Sequence, residues 1–328
     1  MRGSMDVASM RDAIRAGDRH ALARTITWLE STRGDQADAG QSVLETLLPY
    51  AGTAIRVGIT GPPGVGKSTF IEALGLMLIE SGHRIAVLAV DPSSPVTGGS
   101  ILGDKTRMER LAQRDEAYIR PSPSSGSLGG VAQRTRECML VCEAAGYDVV
   151  LVETVGIGQS EVTVAGMVDF FLVLVQPGSG DDLQGIKKGV LELADGLVVN
   201  KADGELADAA ERARVSHTDA LQLLRPLSPH WSPQVLAASA LTGDGIAEVW
   251  SMVEAQRAAL VASGEHAQRR RHQARAWMWS LVDEGLKRAF REHPEVARLL
   301  PKLEQAVEDL QAAPAKAART LLEAFQGR

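Results

Sequence analysis

The sequence predicts an α/β fold, a doubly wound and mainly parallel sheet with helical extensions at both ends of the chain. Three observations carry the prediction. Short, almost wholly apolar runs rich in Val, Ile and Leu recur through the middle of the chain, as expected of strands covered on both faces. Helix-length segments separate them. The first run, Ile55–Thr60, leads directly into Gly61-Pro62-Pro63-Gly64-Val65-Gly66-Lys67-Ser68-Thr69, which fits G-x-x-x-x-G-K-[ST] in the strand, loop and helix setting that this motif requires.

In chain order, residues 1–50 hold short amphipathic segments, with Ala21, Leu22, Ile26 and Leu29 at helical spacing, and form a helical extension expected to pack on the central domain. Residues 51–263 form that domain. Its strand candidates are Ile55–Thr60, Arg84–Asp91, Ala117–Arg120, Tyr147–Glu153, Phe170–Gln176, Leu197–Lys201 and Gln234–Ser239. Helices are expected over Lys67–Ser81, Gly130–Ala145, Leu183–Ala194, Ala207–Leu224 and Ile246–Ala262. Cys138 and Cys142, four apart and so on one helix face, are expected as reduced thiols in the core. Residues 264–328 form a helical arm. Its basic run Arg269-Arg270-Arg271-His272 is expected to be a solvated helix face, followed by an association surface at Trp277, Trp279, Leu281 and Leu286, with Pro294 and Pro301 interrupting the helices. An arm this small buries little core alone, which favours dimerisation through it.

The chemistry starts at the glycine-rich loop. Its glycines let backbone N–H groups wrap a polyphosphate, and the helix starting near Lys67 adds the positive end of its dipole. Lys67 is expected to reach the β- and γ-phosphates and Ser68 to ligate Mg²⁺. Asn200-Lys201-Ala202-Asp203 follows an apolar run, so it lies at the carboxyl end of a strand, where open α/β sheets bind ligands. A carboxylate at Asp203 can accept from N1–H and the exocyclic amine of guanine, and adenine offers neither donor. Ser239-Ala240-Leu241 closes another apolar run. The three segments together read as a site for GTP or GDP.

Further residues fall at loop positions suited to sensing the third phosphate. Glu153-Thr154-Val155-Gly156 ends a strand, and an acid there can hold the metal shell while the Gly156 N–H senses the γ-phosphate. The longer arm of Glu153 favours contact through water. Asp91 and Asp104 bound a polar, glycine-rich segment and are candidates to ligate Mg²⁺ through water or to orient the attacking water; either can instead be a surface carboxylate or helix cap. Residues 176–182, leading to Lys187 and Lys188, are a third switch carrying partner signals or a solvated loop. Gln159 lies three residues beyond Gly156 rather than next to it. The group that orients the water is therefore left open, and slow turnover is expected without a partner.

At 328 residues with 45% hydrophobic content and a net charge of -6, the chain suits an enzyme with one large core. The acidic balance argues against nucleic acid or an anionic membrane as partner. No apolar run reaches the length of a spanning helix and the polar start lacks a signal-peptide core, so a cytoplasmic location is expected.

These segments, with Asp91-Pro92-Ser93-Ser94-Pro95, Gly99 to Met108 and Glu153 to Glu161, resemble the MeaB/ArgK family of P-loop GTPases over nearly the whole chain. The resemblance implies a homodimeric GTPase that binds an adenosylcobalamin-dependent methylmalonyl-CoA mutase, gates loading of its cofactor and protects it from inactivation. Three alternatives stand beside it. A metallochaperone GTPase would favour Cys/His clusters, whereas the seven histidines here are scattered. A kinase needs no guanine reader. A scaffold that holds GTP without hydrolysis would release no phosphate.

Overall fold

The computed structural model describes residues 6–31, 33–90, 108–120, 128–154, 160–178 and 188–327. Three amphipathic helices open the chain, α1 (Val7–Arg15), α2 (Arg19–Leu29) and α3 (Gly34–Leu47). Asp6 and Asp18 cap the first two by accepting from first-turn amides. The predicted stripe Ala21, Leu22, Ile26 and Leu29 is buried.

Seven strands follow: β1 (Ile55–Thr60), β2 (Ile85–Val90), β3 (Ala117–Arg120), β4 (Val149–Thr154), β5 (Phe170–Val175), β6 (Gly196–Val199) and β7 (Gln234–Ala237). All pair in parallel in the order β3-β2-β4-β1-β5-β6-β7. Every residue of β2, β4 and β5 is buried, which is why these strands read as continuous apolar runs rather than alternating ones. The helices between them are α4 (Lys67–Glu80), α5 (Glu109–Ala112), α6 (Leu128–Ala144), α7 (Ser160–Ala165), α8 (Lys188–Leu191), α9 (Ala207–Gln222) and α10 (Ile246–Ala262).

The two faces of the sheet hold separate cores. Val150 and Val152 of β4 face a core built with α1, α2, α3, α6 and α7. Val149 and Leu151 face one built with α4 and α10. Cys138 and Cys142 lie in the first core as free thiols, and burial pushes both well up from the ordinary thiol range.

Residues 1–273 form one compact unit and 274–328 another. Helix α11 (Glu265–Glu292) begins in the first, and there the basic run departs from expectation. Arg271 and His272 are exposed, but Arg269 and Arg270 are not a solvated face. Arg270 makes a two-pronged bond to the buried carboxylate of Asp169, at 2.8 Å and 2.6 Å, and Arg269 reaches Asp195 at 3.2 Å. Asp169 and Asp195 stand just before β5 and β6, where no lysine or arginine of their own strands can meet them. Arg56 of β1 joins the network, donating its amide to Asp169 at 2.9 Å and its side chain to Glu143 at 2.5 Å. The amino edge of the sheet is thereby a closed set of buried ion pairs.

The second unit contains the rest of α11 with α12 (Pro294–Glu308) and α13 (Pro314–Phe325). Phe290, His293 and Phe325 pack edge to face, and Val296 and Ala317 are buried. Pro294 begins α12 at its first turn, as expected of a residue whose missing N–H would be unpaired there. Pro301 does not interrupt a helix; it lies exposed inside α12, which continues through it at the cost of one backbone bond. Met278, Trp279, Val282 and Leu286 remain exposed. Among the described residues no helix is long and apolar enough to cross a membrane.

Candidate functional site

All seven strands end at the same edge, and that edge gathers the motifs. After Thr60 the chain bends through Gly61, Gly64 and Gly66, at φ 151°, 80° and 92°, before α4 starts at Lys67. Two of these glycines are required by proximity as well as by φ. A Cβ at Gly61 would stand 2.4 Å from the Leu174 carbonyl oxygen, and one at Gly66 would stand 2.8 Å from Asn200 Nδ2. Only bare backbone fits where the loop passes β5 and the N-K-x-D segment.

Gly66 caps α4 with no side-chain bond, so the amides of the first turn stay directed toward the loop. Lys67 Nζ donates to the carbonyls of Gly61 at 2.8 Å and Pro62 at 3.3 Å. The ammonium is thus folded over its own loop. Val65 is buried beneath, while Pro63, Gly64 and Thr69 are exposed and Pro62 half-buried.

Glu153, at the end of β4, is buried and accepts from Ser68 Oγ at 3.2 Å. This hydroxyl and carboxylate are hard oxygen donors of the kind Mg²⁺ prefers. No group of three or more His, Cys, Asp or Glu that could cage a metal occurs among the described residues. The pair therefore fits a magnesium ion that takes most of its ligands from phosphate and water.

On the other flank, Asn200 is buried and ties two loops together. Its Nδ2 donates to the Val65 carbonyl at 2.8 Å, and its Oδ1 accepts from the Ala240 amide at 3.1 Å. Lys201 sits at φ 63°, uncommon for a residue with a side chain, and its Nζ donates to the Gly64 carbonyl at 2.7 Å. Asp203 accepts from Ser239 Oγ, and that same oxygen accepts from the Thr242 amide at 3.2 Å. The carboxylate is therefore held from behind by one hydroxyl. Ala240 is half-buried and Leu241 is 81% exposed.

Lys67, Ser68, Glu153, Asn200, Lys201, Asp203 and Ser239 thus converge on one edge. Asp91, Asp104 and Gly156 lie outside the described residues, as do Gln159, Lys187 and most of the loop after Gln176. Gln176, the first residue of the segment read as a third switch or a solvated loop, accepts from Lys201 Nζ through its Oε1 at 3.4 Å. Sequence reasoning missed the pairing of Thr60 with Thr154, whose hydroxyls are 2.7 Å apart. Their one sequence signal is position, Thr60 directly before the phosphate loop and Thr154 directly after Glu153.

The model of the family described as methylmalonyl Co-A mutase-associated GTPase MeaB matches residues 22–295. The chain belongs to the MeaB family. Its curated relatives include a putative GTPase of Caulobacter vibrioides, 54% identical over 98% of each chain. The GTPase ArgK of Escherichia coli is 52% identical over 83% of this chain and 82% of its own. A mouse protein named methylmalonic aciduria type A homolog, mitochondrial, is 46% identical over 95% of this chain and 78% of its own. Among solved structures, one titled LAO/AO transport system kinase superposes with a TM-score of 0.79 at 39% identity, covering 99% of both chains. In this MeaB-family chain the matched region contains the phosphate loop, the Ser68–Glu153 pair and the N-K-x-D segment.

Proposed function

We propose that this chain binds GTP with Mg²⁺ and hydrolyses it to GDP and phosphate, as a chaperone of an adenosylcobalamin-dependent methylmalonyl-CoA mutase. In this reading it gates cofactor loading and protects the mutase from inactivation. The observation that carries the nucleotide reading is the Asn200 bridge, which joins the phosphate loop at Val65 to the Ser239-Ala240-Leu241 loop. Phosphate cradle and guanine reader are then one object. The mutase reading rests on the family's own description.

In the proposed reaction the loop amides and Lys67 surround the β- and γ-phosphates, with Lys67 exchanging its loop carbonyls for phosphate oxygens. Ser68 and Glu153 would hold the metal, Glu153 through water; Asp91 and Asp104 would hold further water of its shell or orient the attacking water, with Gly156 sensing the γ-phosphate. When bound, Mg²⁺ neutralises charge on the β- and γ-phosphoryl oxygens. Water attacks the γ-phosphorus in line as the bond to the bridging oxygen breaks, and its proton leaves with the phosphate product. Asp203 selects guanine, with Asn200, Lys201 and the Ser239 loop framing the base.

Homodimerisation through residues 264–328 is proposed on the exposed row Met278, Trp279, Val282 and Leu286. A cytoplasmic location is proposed with it. The 39% identical structure named as a transport system kinase favours a second reading, transfer of phosphate to a substrate hydroxyl or guanidine, and a guanine-reading carboxylate favours hydrolysis.

The test is phosphate release from GTP at saturating Mg²⁺, with and without the mutase. A marked rise on adding the mutase is expected. Basal hydrolysis with no rise would keep the GTPase and remove the mutase as its client; a phosphorylated product other than phosphate would move the reading to a kinase.

A further inference from the structure

Where β1 and β4 part, two threonines meet. Backbone pairing between these strands runs from Ile55–Val149 to Ile59–Glu153. The next level carries Thr60 and Thr154, 2% and 0% exposed, with Thr154 Oγ1 donating to Thr60 Oγ1 at 2.7 Å. Their other neighbours at that level are Val173 on β5 and Val90 on β2. Across four strands the row reads Val90, Thr154, Thr60, Val173.

Valine has threonine's shape and would fill this level as it does on either side. A buried hydroxyl pair that satisfies itself gains little over two valines, because its hydrogen bond mainly offsets the cost of leaving water. Stability alone therefore gives weak reason for hydroxyls here. Geometry gives a stronger one. Methyl groups in contact settle about 3.5–4.0 Å apart and have no preferred direction, whereas these oxygens are held at 2.7 Å. Valines at both positions would let the strand ends spread by roughly 1 Å.

The consequence lies one residue away on each side. Thr60 is followed by Gly61 and the phosphate loop, and Thr154 directly follows Glu153, which meets Ser68 at 3.2 Å. We infer that the Thr60–Thr154 hydroxyl pair is a clasp that sets the separation of the phosphate loop from Glu153, making both threonines positioning residues for Mg²⁺ binding and GTP hydrolysis. This rests on the Mg²⁺-GTPase reading above. An error of about 1 Å in such a site can lower a rate by up to about 100-fold.

The test compares Thr154→Val, the double variant Thr60→Val/Thr154→Val and Thr154→Ser with the full-length wild type. Thr154→Val alone leaves the Thr60 hydroxyl unpaired, so the double variant is the cleaner probe. Affinity for fluorescent GDP is measured with and without Mg²⁺, then kcat and KM for GTP, with thermal stability alongside. In the double variant the magnesium-free affinity stays within about twofold of wild type, the gain in affinity from Mg²⁺ shrinks about tenfold, and kcat falls by roughly 10- to 100-fold with KM little changed. Thr154→Ser, which keeps the hydroxyl, restores the magnesium response. An unchanged magnesium gain and kcat in the double variant would overturn the clasp. So would a fall in thermal stability and magnesium-free affinity with the magnesium gain intact, the mark of plain structural support. A wild type that binds GDP with a magnesium gain yet releases no phosphate from GTP would refute the hydrolysis reading, and the magnesium gain would still judge the clasp.

Discussion

At the amino edge of the sheet the charges are buried and answer one another, whereas at the carboxyl edge the ammonium groups rest on backbone carbonyls around a loop rich in glycine. Asp169, Asp195 and Glu143 meet Arg270, Arg269 and Arg56 within 3.2 Å. Across the sheet, Lys67 and Lys201 rest on loop carbonyls. A charge on a carbonyl keeps most of its capacity for a stronger partner. One edge is finished by the protein itself, and the other is left to be finished by an anion.

The sharpest way to break this contrast is Arg270→Ala. It leaves the Asp169 carboxylate buried without its two-pronged partner, and losses of about 3 kcal/mol follow when such a pair is broken. Chemical denaturation should show that loss while nucleotide affinity per folded molecule stays constant; a fall in affinity with stability intact would mean the edges are not separate. Acid sharpens the same point. Burial opposes ionisation of Asp169, but the two-pronged bond from Arg270, with His266 Nε2 3.4 Å away, outweighs it and holds the carboxyl well below the usual aspartate range. Its folded pKa is depressed, so its stabilisation is present above the unfolded value of about 3.9 and is lost as pH falls below it. The wild type should therefore carry this contribution undiminished near neutrality and lose it as pH falls below about 4, read by chemical denaturation across pH. Asp195 acts in the opposite sense, since burial outweighs Arg269 and raises its pKa.

Next in size is Lys67→Ala at the other edge. Loss of a charge-assisted bond to phosphate, about 1.5–3 kcal/mol, corresponds to roughly 10- to 150-fold weaker GTP binding, read by nucleotide titration with the melting temperature little moved. Near-native affinity would sink the phosphate-loop assignment. Asp203→Asn is smaller still, since the amide keeps one acceptor. The ratio of GTP to ATP affinity should fall about tenfold, and an unchanged ratio would remove Asp203 as base reader.

The contrast also explains what the sequence could show. Strands such as Phe170–Val175 announce themselves because both faces are covered, and the phosphate loop and N-K-x-D are contiguous phrases whose chemistry needs no distant partner to be recognised. The amino edge is different. Arg270 and Asp169 are 101 residues apart, and Thr60 and Thr154 are 94 apart; no local pattern marks either pair. A basic tetrapeptide looks solvated until the fold brings two aspartates under it. Pro301 likewise shows the limit of local preference, since α12 runs on through it from Pro294 to Glu308.

The bridge at Asn200 has a polarity that no isosteric neighbour can copy. The Ala240 amide can only give a proton and the Val65 carbonyl can only take one, so the side-chain amide fits in one orientation, like a keyed plug between two sockets. Loss of its nitrogen by spontaneous deamidation would leave the outline unchanged and set a carboxylate oxygen against the Val65 carbonyl. A single hydrolysed amide would thus turn the strut between phosphate cradle and base reader into a wedge.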